Sequence, residues 1–226
     1  LSVFIGTPTI HHNAHRELLN TLISINVIKN SGKPAFFIRL CGCNVKCSFC
    51  DSKNSWSMDN ATWIEIETLA DKVDESGANN VVITGGEPLI HNLNPLCELL
   101  HFRNKALWLE TSASLPLSGS WDWICVSPKE KILPLKENYA FANELKVVIS
   151  SADDLSKLPA FEARVSSETK LYLQPEWDSR SLILPQIIDY IKENTKKVST
   201  SFGIPDGDYS IIPYMVTNKL FESRYK

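Results

Sequence analysis

The chain has 226 residues, enough for one sizeable domain around a single hydrophobic core. Hydrophobic residues make up 43% and charged residues 22%, the balance of a globular fold rather than a disordered or fibrous one. A formal net charge of -3 gives no general pull toward nucleic acid or an acidic membrane, and no apolar run reaches bilayer-spanning length. Residues 1–9 lack the basic start of a signal peptide, so a cytoplasmic protein is expected.

No repeat, low-complexity tract or Pro/Gly-rich linker divides the chain, which therefore reads as one domain over residues 1–226. Residues 1–32 carry no assignable element. They hold His11, His12 and His15, which fit a polar surface segment or, by spacing, a helical metal pair, and an apolar run over 18–28. Residues 35–40 read as a strand. Residues 63–75 read as a helix, with Ile64, Ile66, Leu69, Ala70 and Val73 near helical spacing and Asn60 or Thr62 as the cap. A buried-type strand follows at 80–84, a helix at 93–102 and strands at 106–110, 123–126 and 145–149. Residues 153–158 form a short helix with Ser151 as its cap, 171–173 a strand and 182–193 a long helix. Residues 199–226, with Gly203, Pro205, Gly207 and Pro213, read as an irregular, turn-rich cap.

Strands alternating with helices indicate βαβ units and a mainly parallel sheet. Such sheets gather ligand-binding groups at the carboxyl ends of their strands. Gly85, Thr111, Ser127 and Gln174 each follow a predicted strand, so they share one face.

Four of the six cysteines, Cys41, Cys43, Cys47 and Cys50, fall within ten residues, while Cys97 and Cys125 lie in apolar segments. A disulfide framework would spread cysteines among loops, whereas a tight cluster suits a metal or iron–sulfur site. Three thiolates on the loop Cys43-Asn-Val-Lys-Cys47-Ser-Phe-Cys50 suffice for three corners of a cubane cluster and leave the fourth iron open. A structural zinc would need a fourth ligand from Cys41, His91 or His101. Cys41 lies outside the C-x3-C-x2-C spacing and reads as a neighbouring buried thiol.

That spacing, with aromatic Phe49 before the last cysteine, resembles the radical S-adenosylmethionine superfamily. The resemblance implies a 4Fe–4S cluster on Cys43, Cys47 and Cys50, an open iron chelated by S-adenosylmethionine, and a 5′-deoxyadenosyl radical that abstracts a substrate hydrogen. It implies an incomplete, TIM-like β/α barrel with a mainly parallel sheet. Gly85-Gly86-Glu87-Pro88 resembles the family's methionine-binding turn, in which the glycines let backbone approach the ligand and the acid helps position the amino group.

Further motifs occur in order: Phe37-Ile-Arg-Leu, Cys50-Asp51-Ser52, Thr84-Gly-Gly-Glu-Pro, Glu110-Thr-Ser, Trp123-Ile-Cys-Val-Ser-Pro-Lys129, Asn143-Glu-Leu-Lys146 and Leu173-Gln-Pro175. Over about residues 32–176 they resemble the 7-carboxy-7-deazaguanine synthase family of queuosine and 7-deazapurine biosynthesis. The resemblance implies a lyase that contracts 6-carboxy-5,6,7,8-tetrahydropterin to 7-carboxy-7-deazaguanine with loss of ammonia. It also implies Mg²⁺, an external reductant such as flavodoxin or ferredoxin, and a homodimer. Arg39 and Thr84 would bind the pterin. Phe49, Cys50, Asp51, Gly85, Gly86, Glu87, Ser127, Pro128, Lys129 and Gln174 would hold the cofactor. Ser52 would take the place of a threonine that binds Mg²⁺ through its hydroxyl.

Plainer readings stand beside these. Arg39 fits a surface cation on an edge strand, Ser52 a turn cap, and Glu110, Lys129 and Lys146 solvated charges. The ends diverge from the family. Residues 23–30 read Ile-Ser-Ile-Asn-Val-Ile-Lys-Asn where the family carries Gln-Gly-Glu-Gly, and 198–203 lack the Gln-Thr-His-Lys of its C-terminal stretch. The chain is then a divergent deazaguanine synthase, a radical enzyme with another substrate, or a non-catalytic iron–sulfur module. The retained Glu87, Ser127-Pro128-Lys129 and Gln174 argue against the last.

Overall fold

The computed structural model describes residues 2–5, 21–23, 34–59, 61–194 and 209–211. The three N-terminal histidines, Asn60, most of the 18–28 run and nearly all of 199–226 lie outside the described residues.

Among the described residues ten strands form one sheet: β1 (Ser2–Ile5), β2 (Thr21–Ile23), β3 (Pro34–Leu40), β4 (Thr62–Glu65), β5 (Asn80–Gly85), β6 (Ala106–Thr111), β7 (Trp123–Val126), β8 (Glu144–Ile149), β9 (Lys170–Pro175) and β10 (Tyr209–Ile211). Their order is β10-β9-β8-β7-β6-β5-β3-β1-β4, with β2 also on β3. Pairing is parallel along β3-β5-β6-β7-β8-β9-β10, while β1 runs antiparallel to β3 and β4, and β2 antiparallel to β3. Among the described residues β10 pairs with β9 and does not return to β3, so the barrel stays open. Helices α1 (Ile66–Glu75), α2 (Asn94–Phe102), α3 (Ala152–Glu162) and α4 (Arg180–Glu193) provide crossovers, and none is long and apolar enough to span a membrane.

Alternation along each strand separates two faces. Ile38, Ile83, Leu109, Val126, Leu145 and Leu173 point one way and pack on the buried stripe of α1 (Ile66, Leu69, Ala70, Val73) and on Leu96, Leu158 and Ile187. The opposite face is concave. At its floor Ala35, Val82 and Trp108 make a small apolar layer with Phe37 and Trp123. One step toward the carboxyl ends the row turns polar. Arg39 pairs with Thr84, Ile83 with Leu109, Glu110 with Cys125 and Cys125 with Glu144, so Arg39, Thr84, Glu110, Cys125 and Glu144 lie side by side across five strands.

Two expectations are corrected. Residues 63–65 are strand, not the first turn of α1, because Trp63 and Ile64 pair with Phe4 and Val3 of β1. Aromatic and β-branched residues accept that pairing readily, and the remote partner overrides the local helical period. α1 accordingly begins after Glu65, without the predicted side-chain cap. β3 is an interior strand, flanked by β5 on one side and by β1 and β2 on the other, so Arg39 is not an edge cation. Ser151 does cap α3, where the Asp154 carboxylate accepts the Ser150 and Ser151 backbone N–H groups at 2.9 and 3.0 Å.

Candidate active site

The cluster loop leaves β3 at Leu40 and is tied back on itself. Gly42 N donates to Ser55 O at 2.8 Å and Cys43 N to Trp56 O at 3.2 Å. Gly42 sits at φ +96, and a β-carbon there would stand 2.9 Å from Met58 Cε, so only glycine makes this turn without strain. Cys43, Cys47 and Cys50 are free thiols, half-buried on the wall of one open cavity.

N–H donors point at two of the sulfurs. Lys46 N lies 3.4 Å from Cys43 Sγ, Ser52 N 3.4 Å from Cys50 Sγ and Trp56 Nε1 3.2 Å from Cys50 Sγ. Donors aimed at sulfur are what iron–sulfur thiolates require, so the loop fits a 4Fe–4S cluster. Among the described residues no three His, Cys, Asp or Glu side chains close around a single ion. Thiolates at three corners of a cubane stand farther apart than the ligands of one zinc. The candidate fourth zinc ligands lie elsewhere: Cys41 is buried, His91 Nε2 is 2.7 Å from Cys41 O, and His101 meets Asp122 at 3.1 Å.

The Gly85-Gly86-Glu87 turn presses directly on this loop. A β-carbon on Gly85 would lie 2.2 Å from Leu40 O, and one on Gly86 2.2 Å from Gly42 O and 2.8 Å from Cys43 Cβ. The glycines are therefore required first by the chain's own backbone, a tighter constraint than ligand approach. Glu87 is 1% exposed and accepts four donors: Leu89 N at 3.1 Å, Thr111 Oγ1 at 2.5 Å, Ser112 N at 2.8 Å and Ser112 Oγ at 2.5 Å. It fastens the end of β5 to the end of β6.

Arg39 Nη1 donates to Ser52 Oγ at 3.1 Å, and that hydroxyl donates to Asp51 Oδ1 at 2.9 Å. Two hard oxygens thus stand together at the cavity mouth, a donor set that suits one Mg²⁺ completed by water and substrate oxygens. Farther in, Lys146 bonds Glu110 Oε2, and Lys129 bonds Ser127 Oγ, which donates to Lys146 O at 2.9 Å. Glu110 and Lys146 side chains are only 11% and 10% exposed, so both are buried partners and not solvated charges. Burial opposes the charge on Lys146, but the adjoining Glu110 carboxylate holds it above the ordinary lysine range. Burial and the Lys146 charge pull Lys129 down. Glu144, on the same row, is pushed up to about 7 by burial and by Glu110, with Lys146 and the Trp123 indole opposing.

The cavity is lined by Arg39, Thr84, Cys43, Cys47, Phe49, Cys50, Asp51, Ser52, Gly85, Gly86, Glu87, Ser127, Lys129 and Gln174. Pro128 is buried and does not line it. Trp56, Glu176 and Trp177 also line it and were not singled out from sequence. Glu144 was legible only as part of a motif, although counting back by two from Lys146 places it on the same face.

The radical SAM superfamily profile matches residues 37–138. The chain is 43% identical over 152 residues to the 7-carboxy-7-deazaguanine synthase of Synechocystis sp., covering 67% of this chain and 73% of that protein. It is 39% identical over 170 residues to the 7-carboxy-7-deazaguanine synthase of Flavobacterium psychrophilum, covering 74% and 79%. The crystal structure of QueE from Escherichia coli superposes with a TM-score of 0.62 at 30% identity, over 71% of this chain and 83% of that one. With the open parallel barrel and the cysteine loop at its carboxyl-end face, these likenesses place the chain in the 7-carboxy-7-deazaguanine synthase family of radical S-adenosylmethionine enzymes.

Proposed function

We propose that the chain converts 6-carboxy-5,6,7,8-tetrahydropterin to 7-carboxy-7-deazaguanine with loss of ammonia. The observation that carries this reading is the meeting, in one cavity, of three thiols with Arg39, Thr84, Lys129 and Gln174. When bound, the 4Fe–4S cluster supplies the electron that cleaves S-adenosylmethionine.

The chain's own residues bind and orient. Cys43, Cys47 and Cys50 hold the cluster. Phe49, Cys50 and Asp51 line the adenine side, and the Gly85-Gly86 backbone, Ser127, Lys129 and Gln174 hold S-adenosylmethionine. Glu87 acts from behind the turn, keeping Gly85 and Gly86 against the cluster loop. Arg39 offers a planar fork to the pterin carboxylate, and Thr84, its neighbour across β3 and β5, hydrogen-bonds the ring. Ser52, which accepts from Arg39 at 3.1 Å, would offer its hydroxyl oxygen to Mg²⁺, and the ion would supply a positive charge beside the substrate carboxylate. A homodimer, each chain one domain, working in the cytoplasm with a flavodoxin or ferredoxin as reductant completes the reading.

The test is an anaerobic assay with reductant, S-adenosylmethionine, Mg²⁺ and the pterin, read by mass spectrometry. Deazaguanine product that disappears in Arg39→Ala and in Cys47→Ala supports the assignment. Formation of 5′-deoxyadenosine with the pterin recovered unchanged assigns the cavity to another substrate.

A further inference from the structure

Trp56 lies six residues past the last cluster cysteine, outside the C-x3-C-x2-C spacing, yet it touches the loop at both ends. Its backbone oxygen accepts Cys43 N at 3.2 Å, and its indole Nε1 lies 3.2 Å from Cys50 Sγ. The position is itself well fixed. Trp56 N donates to Lys53 O at 3.1 Å, and the preceding Ser55, 1% exposed, donates N and Oγ to Ser52 O at 2.9 and 2.7 Å. The Lys53 ammonium stands 6.0 Å from the centre of the indole ring. Trp56 is half-buried and lines the cavity, so its N–H acts in a partly water-excluded setting.

We propose that Trp56 is a positioning residue that sets the reduction potential of the cluster through its indole N–H bond to the Cys50 thiolate. The inference rests on the cluster reading above. Reduction adds one negative charge, shared in part by the thiolate sulfurs. A donor fixed on sulfur therefore binds the reduced cluster more strongly than the oxidised one and raises the potential. The Lys53 charge beside the ring acts in the same direction. The two backbone donors, Lys46 N and Ser52 N, survive any side-chain substitution, whereas the Trp56 bond can be removed alone.

The experiment uses the full chain, reconstituted anaerobically without S-adenosylmethionine and poised with mediators at the wild-type midpoint. Iron and sulfide content and the reduced-cluster electron paramagnetic resonance signal are read separately. Trp56→Phe keeps a ring and loses the N–H. Its ratio of reduced to oxidised cluster is expected to fall about tenfold, equivalent to about 59 mV for a one-electron couple. Trp56→His, which restores a ring N–H, should recover part of that loss. An unchanged ratio in iron-loaded Trp56→Phe overturns the proposal. If Trp56→Phe takes up no iron, wild-type protein carrying indole-15N tryptophan decides: a 15N hyperfine coupling to the reduced cluster supports the bond, and its absence overturns it. Failure of wild-type protein to take up iron removes the cluster reading and this inference together.

Discussion

The two faces of the parallel sheet are built from the same strands and do opposite work. On β6, Leu109 faces the helices and Glu110 faces the cavity; on β8, Leu145 faces the helices while Glu144 and Lys146 face inward. The helix-covered face is held by apolar burial, which is non-directional and tolerates modest changes in shape. The concave face is held by charges and hydrogen bonds in a water-poor setting, where each group depends on its neighbour. Glu110 Oε1 and Glu144 Oε1 are buried without a hydrogen-bond partner there, a cost an apolar layer would not carry. Fold and chemistry thus stand on alternate residues of one backbone, and substitutions one position apart should fail in different ways.

The largest expected difference lies in the cluster loop. Cys47→Ala should abolish iron–sulfur loading while leaving the far-ultraviolet circular dichroism of the sheet unchanged. Cys41→Ala, a buried position six residues earlier, should load iron normally, and full loading in Cys47→Ala would break the assignment of the loop.

On the inner face, Lys146→Met leaves Glu110 buried without its cation. Removing one partner of such a pair costs about 3–5 kcal/mol. Denaturant unfolding should show that deficit. Lys146→Arg, which keeps a cation, should recover part of it, and no recovery would mean that packing of the lysine stem, not charge, matters.

On the outer face, Leu109→Ala should cost roughly 2–5 kcal/mol through lost burial and the cavity left behind. Leu109 is fully buried in the apolar core, so that loss should be the same at pH 5 and pH 8. A strong pH dependence would show that the two faces are coupled.

The smallest effect tests the sign of the inner face's electrostatics. The Glu144 carboxyl is pushed up to about 7, so the folded state favours its protonated form. Below the unfolded value of about 4.5 the group is protonated in both states and nothing is lost. As pH rises toward 7 the stability falls, and above 7 the penalty levels off at about 3 kcal/mol. Glu144→Gln keeps an acceptor for the Trp123 indole, which donates to Glu144 Oε2 at 3.2 Å. Its melting temperature should match wild type at pH 4.5 and exceed it at pH 8; equal melting at both would remove Glu144 from the electrostatic account.

Much of this was legible in the residues. From β3 to α4, with β4 excepted, strand and helix order followed from apolar periodicity, because the buried faces repeat every two or every three to four residues whatever lies opposite; β1, β2, β4 and β10 were not read. The cysteine spacing and the turns after β5, β7 and β9 marked the carboxyl-end face, because short-range chemistry such as a thiolate triplet is carried within a few residues. Ser127 and Gln174 could be named because each follows a strand, and Arg39, Thr84 and Lys129 because the motifs that carry them resemble those of the family.

Other features needed the folded chain. That 63–65 is strand depends on β1, about sixty residues earlier. That Glu110 and Lys146 are buried partners depends on β6 and β8 bracketing β7, since either residue alone reads as an ordinary strand-end charge. Glu87 proved to be a clasp between two strand ends, and Gly86 a gap for the Gly42 carbonyl, only once β3, β5 and β6 were side by side. The indole of Trp56 found Cys50 only because the loop closes on itself. Local pattern determines which residues can carry chemistry. Burial, pairing and charge state arise from contacts between segments far apart in the chain, and only the tertiary structure decides them.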